Sequence, residues 1–156
     1  MGDLLAAAAH APAEEPTVPM GYRVSSALRP KEGQQLCGDQ LATVETGGML
    51  YLLLSDGMGS GPEAHREAAL TVRLLEQFLR AGIEPAPALK TLNSALALRG
   101  ETGGAFTTID LLALRRSTGE ATLYKYGAAP SYLKHTAHVT RFTAPVSYTH
   151  LTLPTN

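Results

Sequence analysis

Asp39 and Asp56 are the residues whose types and spacing most directly suggest chemistry. Between them, two strand-like runs, Asp39 to Thr46 and Met49 to Asp56, flank Gly47-Gly48, the signature of a two-residue hairpin turn. Antiparallel pairing outward from that turn sets Thr46 against Met49, Val44 against Tyr51 and, at the open end, Asp39 against Asp56, with Cβ atoms roughly 5 Å apart. Like charges at that spacing repel, so the pair calls for a cation. Mg²⁺ and Mn²⁺ take carboxylate oxygens, and a two-metal site about 4 Å across activates water against a phosphate ester. Alternation along the strands places Asp39 with Leu41, Thr43, Leu50, Leu52 and Leu54, the more apolar face and therefore the expected core side.

The loop after Asp56, Gly57-Met58-Gly59-Ser60-Gly61, lets the backbone approach an ion closely, so the Gly57 carbonyl can join the two carboxylates as a ligand. Pro62 then opens a helix whose free N–H groups and positive dipole end suit a phosphate. Taken alone, the loop also reads as a plain strand-to-helix turn. Its Gly-x-Gly-x-Gly pattern is neither the dinucleotide fingerprint nor a phosphate-loop motif, which would need Gly-x-Gly-x-x-Gly or a following Gly-Lys-Ser/Thr. Cys37 reads as a small buried filler, His65 as a helix-surface residue, and Asp110 as a hydrogen-bonding group within a strand that could support the site indirectly. His135 and His138 do not share a helix face, and zinc is not expected.

These side chains need a scaffold. Ala64, Ala68, Val72, Leu75 and Leu79 recur on one helical face, Ala81-Gly82 stops that helix, and Pro85 or Pro87 starts a second with Leu89, Leu92 and Leu96 along one side. Strands are expected over Tyr22 to Leu28, Thr107 to Leu114, Ala121 to Tyr126, Ser131 to His135 and Val139 to Phe142. Hairpins rather than βαβ crossovers make this an α+β chain with antiparallel sheets. Its 156 residues fit one domain, and a formal net charge of −1 without a Lys/Arg cluster argues against nucleic acid or an anionic membrane as main partner. The single cysteine excludes an internal disulfide and suits a reducing cytosol. Residues 1–19, rich in Ala, Pro and Glu, read as a linker or a frayed, disordered segment, without a signal peptide or a membrane span.

The ordered series Cys37-Gly38-Asp39, Leu54-Ser55-Asp56-Gly57-Met58-Gly59-Ser60-Gly61-Pro62-Glu63-Ala64, Leu74 to Gly82, Leu89 to Asn93, Phe106-Thr107-Thr108-Ile109-Asp110, Thr118-Gly119-Glu120 and Lys125 to Tyr132 resembles the phosphatase domain of the stage II sporulation protein E family. That family belongs to the metal-dependent type 2C protein serine/threonine phosphatases, so the resemblance implies an antiparallel β-sandwich flanked by helix pairs, incomplete here. It implies hydrolysis of phosphoserine on a phosphorylated anti-anti-sigma factor, with Mn²⁺ or Mg²⁺ in a two-metal centre in the complete domain. Asp39, Asp56 and the Gly57 carbonyl would be metal ligands, and the helices near Pro62 and Ala86 would form a regulatory layer that also offers a homodimer surface. Cys37 stands where the family usually has serine.

The resemblance fades after Phe142, so residues 20–144 are expected to be a partial phosphatase domain and residues 145–156 a non-native tail. On that expectation the family's further acidic ligands are missing, leaving the chain weak or inactive. The fragment would be cytoplasmic, whereas the family's parent is membrane-anchored. The alternatives are a partner-binding module without catalysis, or a phosphatase of another bacterial signalling pathway.

Overall fold

The structure, a computed structural model, describes residues 19–100, 107–143 and 149–152. The expected linker over residues 1–18, Phe106 of the family series, and the tail residues 145–148 and 153–156 lie outside the described residues. Strands β1 (Asp39–Thr46) and β2 (Met49–Asp56) form the hairpin, followed by helices α1 (Gly61–Arg80) and α2 (Pro85–Gly100). Strands β3 (Ile109–Arg115), β4 (Glu120–Tyr126), β5 (Ser131–Lys134), β6 (Val139–Phe142) and β7 (Thr149–Thr152) complete the order. The main sheet runs β1-β2-β3-β4-β7 with every pairing antiparallel, and β5 and β6 make a separate hairpin. The fold is α+β, as expected, and β7 extends the sheet from within the segment read as a tail.

The hairpin register follows from its turn. Gly47 and Gly48 have φ of 55° and 75°, the pair of positive angles that a two-residue turn needs to follow the twist of its strands. A Cβ at Gly48 would meet no heavy atom within 4 Å, so the cost of Gly48→Ala is conformational alone. Denaturant unfolding should show a loss of about 1–2 kcal/mol, the cost of a left-handed residue with a Cβ.

Helix α1 ends by glycine geometry. Gly82 has φ 79°, its N–H donates to the Leu79 carbonyl, and the Ile83 N–H donates to the Phe78 carbonyl at 2.9 Å, satisfying carbonyls the helix would leave open. The predicted stripe is buried: Ala64, Ala68, Val72, Leu75 and Leu79 all pack inward. With Leu89 and Leu92 of α2, the lower part of that stripe covers Val44, Tyr51, Leu53, Leu111 and Ala113 of the sheet.

That packing corrects one expectation. The helices cover the face carrying Val44, Tyr51 and Leu53, whereas Asp39, Leu41, Leu50, Leu52 and Leu54 lie on the other face. Leu54 is 46% exposed there, because strand β2 is apolar on both faces and the landing of the helices decides which becomes the principal core. The second face holds a smaller cluster, Leu50, Leu114 and Ala121 with Met20, Leu52 and Leu112 against it. Towards its other end, Leu52, Leu112 and Leu123 line a cavity with Tyr132, Leu133 and Phe142 of the separate hairpin.

A second correction concerns Tyr22 to Leu28, which is not a strand. Side chains, rather than a ladder, anchor the start of this segment. The Tyr22 hydroxyl hydrogen-bonds Glu45, Arg116 pairs with Glu45 at 3.1 Å, and the Arg116 guanidinium sits 5.2 Å from the Tyr22 ring centroid.

Candidate metal centre

Asp39 and Asp56 are Cα partners in the β1–β2 ladder, the register expected from the turn. Both line a cavity of about 300 Å³ with Leu54, Thr108, Asp110 and the loop Ala128 to Ser131. The Asp56 carboxyl is held above the ordinary carboxylate range, first by burial and then by a side-chain hydrogen bond to Asp39 and the charge of Asp39. Without a cation the site carries more negative charge than it can comfortably hold.

The end of β2 is fixed from both sides. Asp56 N–H donates to Thr108 Oγ1 at 3.2 Å, while its carbonyl accepts from Thr108 N–H and from Thr107 Oγ1, both at 2.9 Å. Gly57 N–H donates to the Gly38 carbonyl at 3.3 Å. A Cβ on Gly57 would lie 2.1 Å from the Ala64 carbonyl oxygen, so Gly57 is required for space where the loop meets α1. Gly57 and Asp56 also line a second cavity with Met58, Gly59, Asn93, Thr107 and Tyr126. Asp56 thus borders both cavities, whereas Asp39 lines only the first and Gly57 only the second.

Neighbouring residues take structural roles. Cys37 Sγ lies 3.4 Å from the Arg29 carbonyl oxygen and 3.6 Å from Asp39 Oδ2. His65 Nδ1 lies 2.9 Å from the Cys37 carbonyl oxygen and 3.2 Å from Gln40 Nε2, which ties the first turns of α1 to the start of β1. His135 and His138 stack at 4.3 Å between β5 and β6.

Asp110 does more than an isolated strand residue would. Antiparallel register puts Asp39, Asp56 and Thr108 in one row across the sheet and Leu41, Leu54, Asp110 and Lys125 in the next. Lys125 Nζ donates to Asp110 Oδ2 at 2.5 Å and to Ser131 Oγ at 2.7 Å, and Ser131 Oγ donates to the same Oδ2 at 2.7 Å. Lys125 was not singled out from sequence. The available signal was its parity, because β4 alternates and Lys125 falls on the buried positions with Ala121 and Leu123.

Among the described residues no three His, Cys, Asp or Glu side chains converge on one metal position. The donor set still suits a hard, partly hydrated cation: two crowded carboxylates in a cavity also lined by Asp110, whose buried Oδ1 has no hydrogen-bond partner. No helix among the described residues is long and apolar enough to cross a membrane.

The family model described as Stage II sporulation protein E (SpoIIE) matches residues 46–149. Stage II sporulation protein E of Bacillus subtilis (strain 168) is 39% identical over 116 residues, covering 72% of this chain and 14% of that protein. The chain therefore spans about a seventh of that relative's length. The solved structure of the PP2C phosphatase domain and a fragment of the regulatory domain of the cell fate determinant SpoIIE from Bacillus subtilis superposes with a TM-score of 0.74 at 30% identity, covering 82% of this chain and 40% of that one. RsbX in complex with magnesium shares the fold, with a TM-score of 0.65 at 19% identity over 83% of this chain and 66% of that one.

Proposed function

Because the chain belongs to the stage II sporulation protein E family, we propose that it is part of a type 2C, metal-dependent protein serine/threonine phosphatase in which Asp39 and Asp56 hold a divalent cation. The observation that carries this reading is the facing pair itself, whose Asp56 carboxyl is pushed up by burial and by Asp39. Mn²⁺ or Mg²⁺ held there would supply charge neutralisation and acidify a bound water molecule. The chain's own groups do the positioning. Strand pairing fixes the spacing of the two carboxylates, Thr107 and Thr108 hold the end of β2, and Gly57, next in sequence to Asp56, would add its carbonyl oxygen.

The substrate class is a phosphoserine protein, and the family points to a phosphorylated anti-anti-sigma factor in sporulation sigma-factor control. The relatives of this chain are much longer, so the activity is assigned to the protein carrying the whole phosphatase domain. In that protein, phosphate release from a phosphoserine-bearing anti-anti-sigma factor should require Mn²⁺ or Mg²⁺ and fall by at least about 10–100-fold in Asp39→Asn. Metal-independent release, or full activity in Asp39→Asn, would refute the assignment.

A further inference from the structure

The buried cluster of Asp110, Lys125 and Ser131 joins three parts of the fold that sequence keeps apart. Asp110 is on β3, Lys125 is its Cα partner on β4, and Ser131 opens β5 beyond the loop Gly127 to Pro130. The Lys125 side chain is 0% exposed and that of Asp110 15%, so this is an interior ion pair. Such a pair rarely repays the cost of taking two charges out of water, and an apolar pair of similar volume usually serves stability as well. The cluster therefore invites a role beyond stability.

Its position supplies one. Ala128, Ala129, Pro130 and Ser131 line the cavity that contains Asp39 and Asp56, and Ser131 is the only member of that stretch bonded into the cluster among the described residues. The Ser131 hydroxyl accepts from Lys125 and donates to Asp110, so it pins the end of the loop to the floor of the sheet. Asp110 lies one row inward from Asp56, two residues along the strand, a diagonal of about 7–8 Å between backbone positions. Both residues line the same cavity. Asp110 Oδ2 is committed to Lys125 and Ser131, while the buried Oδ1 has no partner.

We propose that Asp110, Lys125 and Ser131 form a latch that holds the Gly127–Ser131 loop as a wall of the Asp39–Asp56 cavity, thereby setting the affinity of the site for a cation. The three are positioning residues. The inference rests on the metal reading of Asp39 and Asp56, and its test separates the two.

The test uses the protein carrying the whole phosphatase domain as wild type, Ser131→Ala, Ser131→Thr and Asp56→Asn, with Mn²⁺ alone as probe, followed by the free-ion paramagnetic signal. Amide hydrogen exchange at Gly127, Ala128 and Ala129 is measured without metal. Ser131→Ala should raise exchange at those amides at least about tenfold and weaken Mn²⁺ binding about 10–100-fold, the usual range for groups that support metal ligands. Ser131→Thr, which keeps the hydroxyl, should restore both. Unchanged loop exchange or unchanged Mn²⁺ affinity in Ser131→Ala overturns the latch, and does so even where Asp56→Asn abolishes binding and the metal reading stands. A wild type without saturable Mn²⁺ binding, or an Asp56→Asn variant that binds equally, overturns the metal reading and the latch's role with it.

Discussion

Gly57→Ala should lower the unfolding midpoint substantially and loosen the carboxylate site, although the added group is a single methyl. Gly57 does not have a positive φ, so backbone conformation is not what forbids a side chain. Space is. A Cβ there would stand 2.1 Å from the Ala64 carbonyl oxygen, 2.6 Å from its carbon and 2.8 Å from its Cα, all backbone atoms of α1 that cannot rotate away. Relief must come from moving α1, whose Leu75 and Leu79 are buried in the main core. Overpacking of this kind costs about 1–3 kcal/mol or more, and for a domain of this size each kcal/mol lowers the midpoint by about 2–4 °C. Gly21→Ala is the control, since a Cβ there meets nothing within 4 Å and its φ is ordinary, so its effect should stay within about 0.5 kcal/mol. Equal midpoints for the two variants would show that α1 yields freely at this point. Because Gly57 follows Asp56 directly, the same displacement should weaken Mn²⁺ binding.

This dependence on α1 marks where sequence reasoning succeeds and where it stops. The hairpin was legible because its information is local: two glycines with positive φ fix the turn, and the turn fixes every pair out to Asp39 and Asp56. The buried stripe of α1 was legible for a similar reason, since its period is that of the helix itself. Which face of β2 is the main core was not legible. Leu50, Leu52 and Leu54 on one side and Tyr51 and Leu53 on the other give nearly equal apolar faces, and the choice is made by helices that arrive later in the chain. The Asp110–Lys125–Ser131 cluster escaped for a stronger version of that reason. Its members meet through the β3–β4 register and the return of the chain at Ser131, neither of which a local pattern encodes. Tyr22 to Leu28 has strand-like composition, but composition cannot supply a ladder partner.

Asp56→Asn should have opposite effects on the metal-free and metal-loaded chain, and that reversal distinguishes a cation site from a structural carboxylate pair. In the folded chain the Asp56 carboxyl sits above its ordinary range, through burial first and the Asp39 hydrogen bond and charge next. A carboxyl raised on folding contributes stability below the ordinary carboxylate range and loses that contribution as pH rises through the raised value. At neutral pH, therefore, the ionised pair opposes folding, and Asp56→Asn should raise the metal-free midpoint there while flattening its fall as pH leaves the acid range. With Mn²⁺ the order inverts. A binding-competent wild type at a hundredfold excess over Kd gains about 2.7 kcal/mol. Removing one carboxylate ligand should weaken Mn²⁺ binding on the order of a hundredfold, or about 2.7 kcal/mol, since the exposure of Asp56 to solvent screens much of the attraction. Thermal unfolding with and without Mn²⁺ at several pH values reads both halves. A midpoint that Mn²⁺ raises equally in the two proteins would assign the ion elsewhere, and a metal-free midpoint lowered by Asp56→Asn would mean that the ionised carboxylate is held by partners that outweigh the repulsion from Asp39.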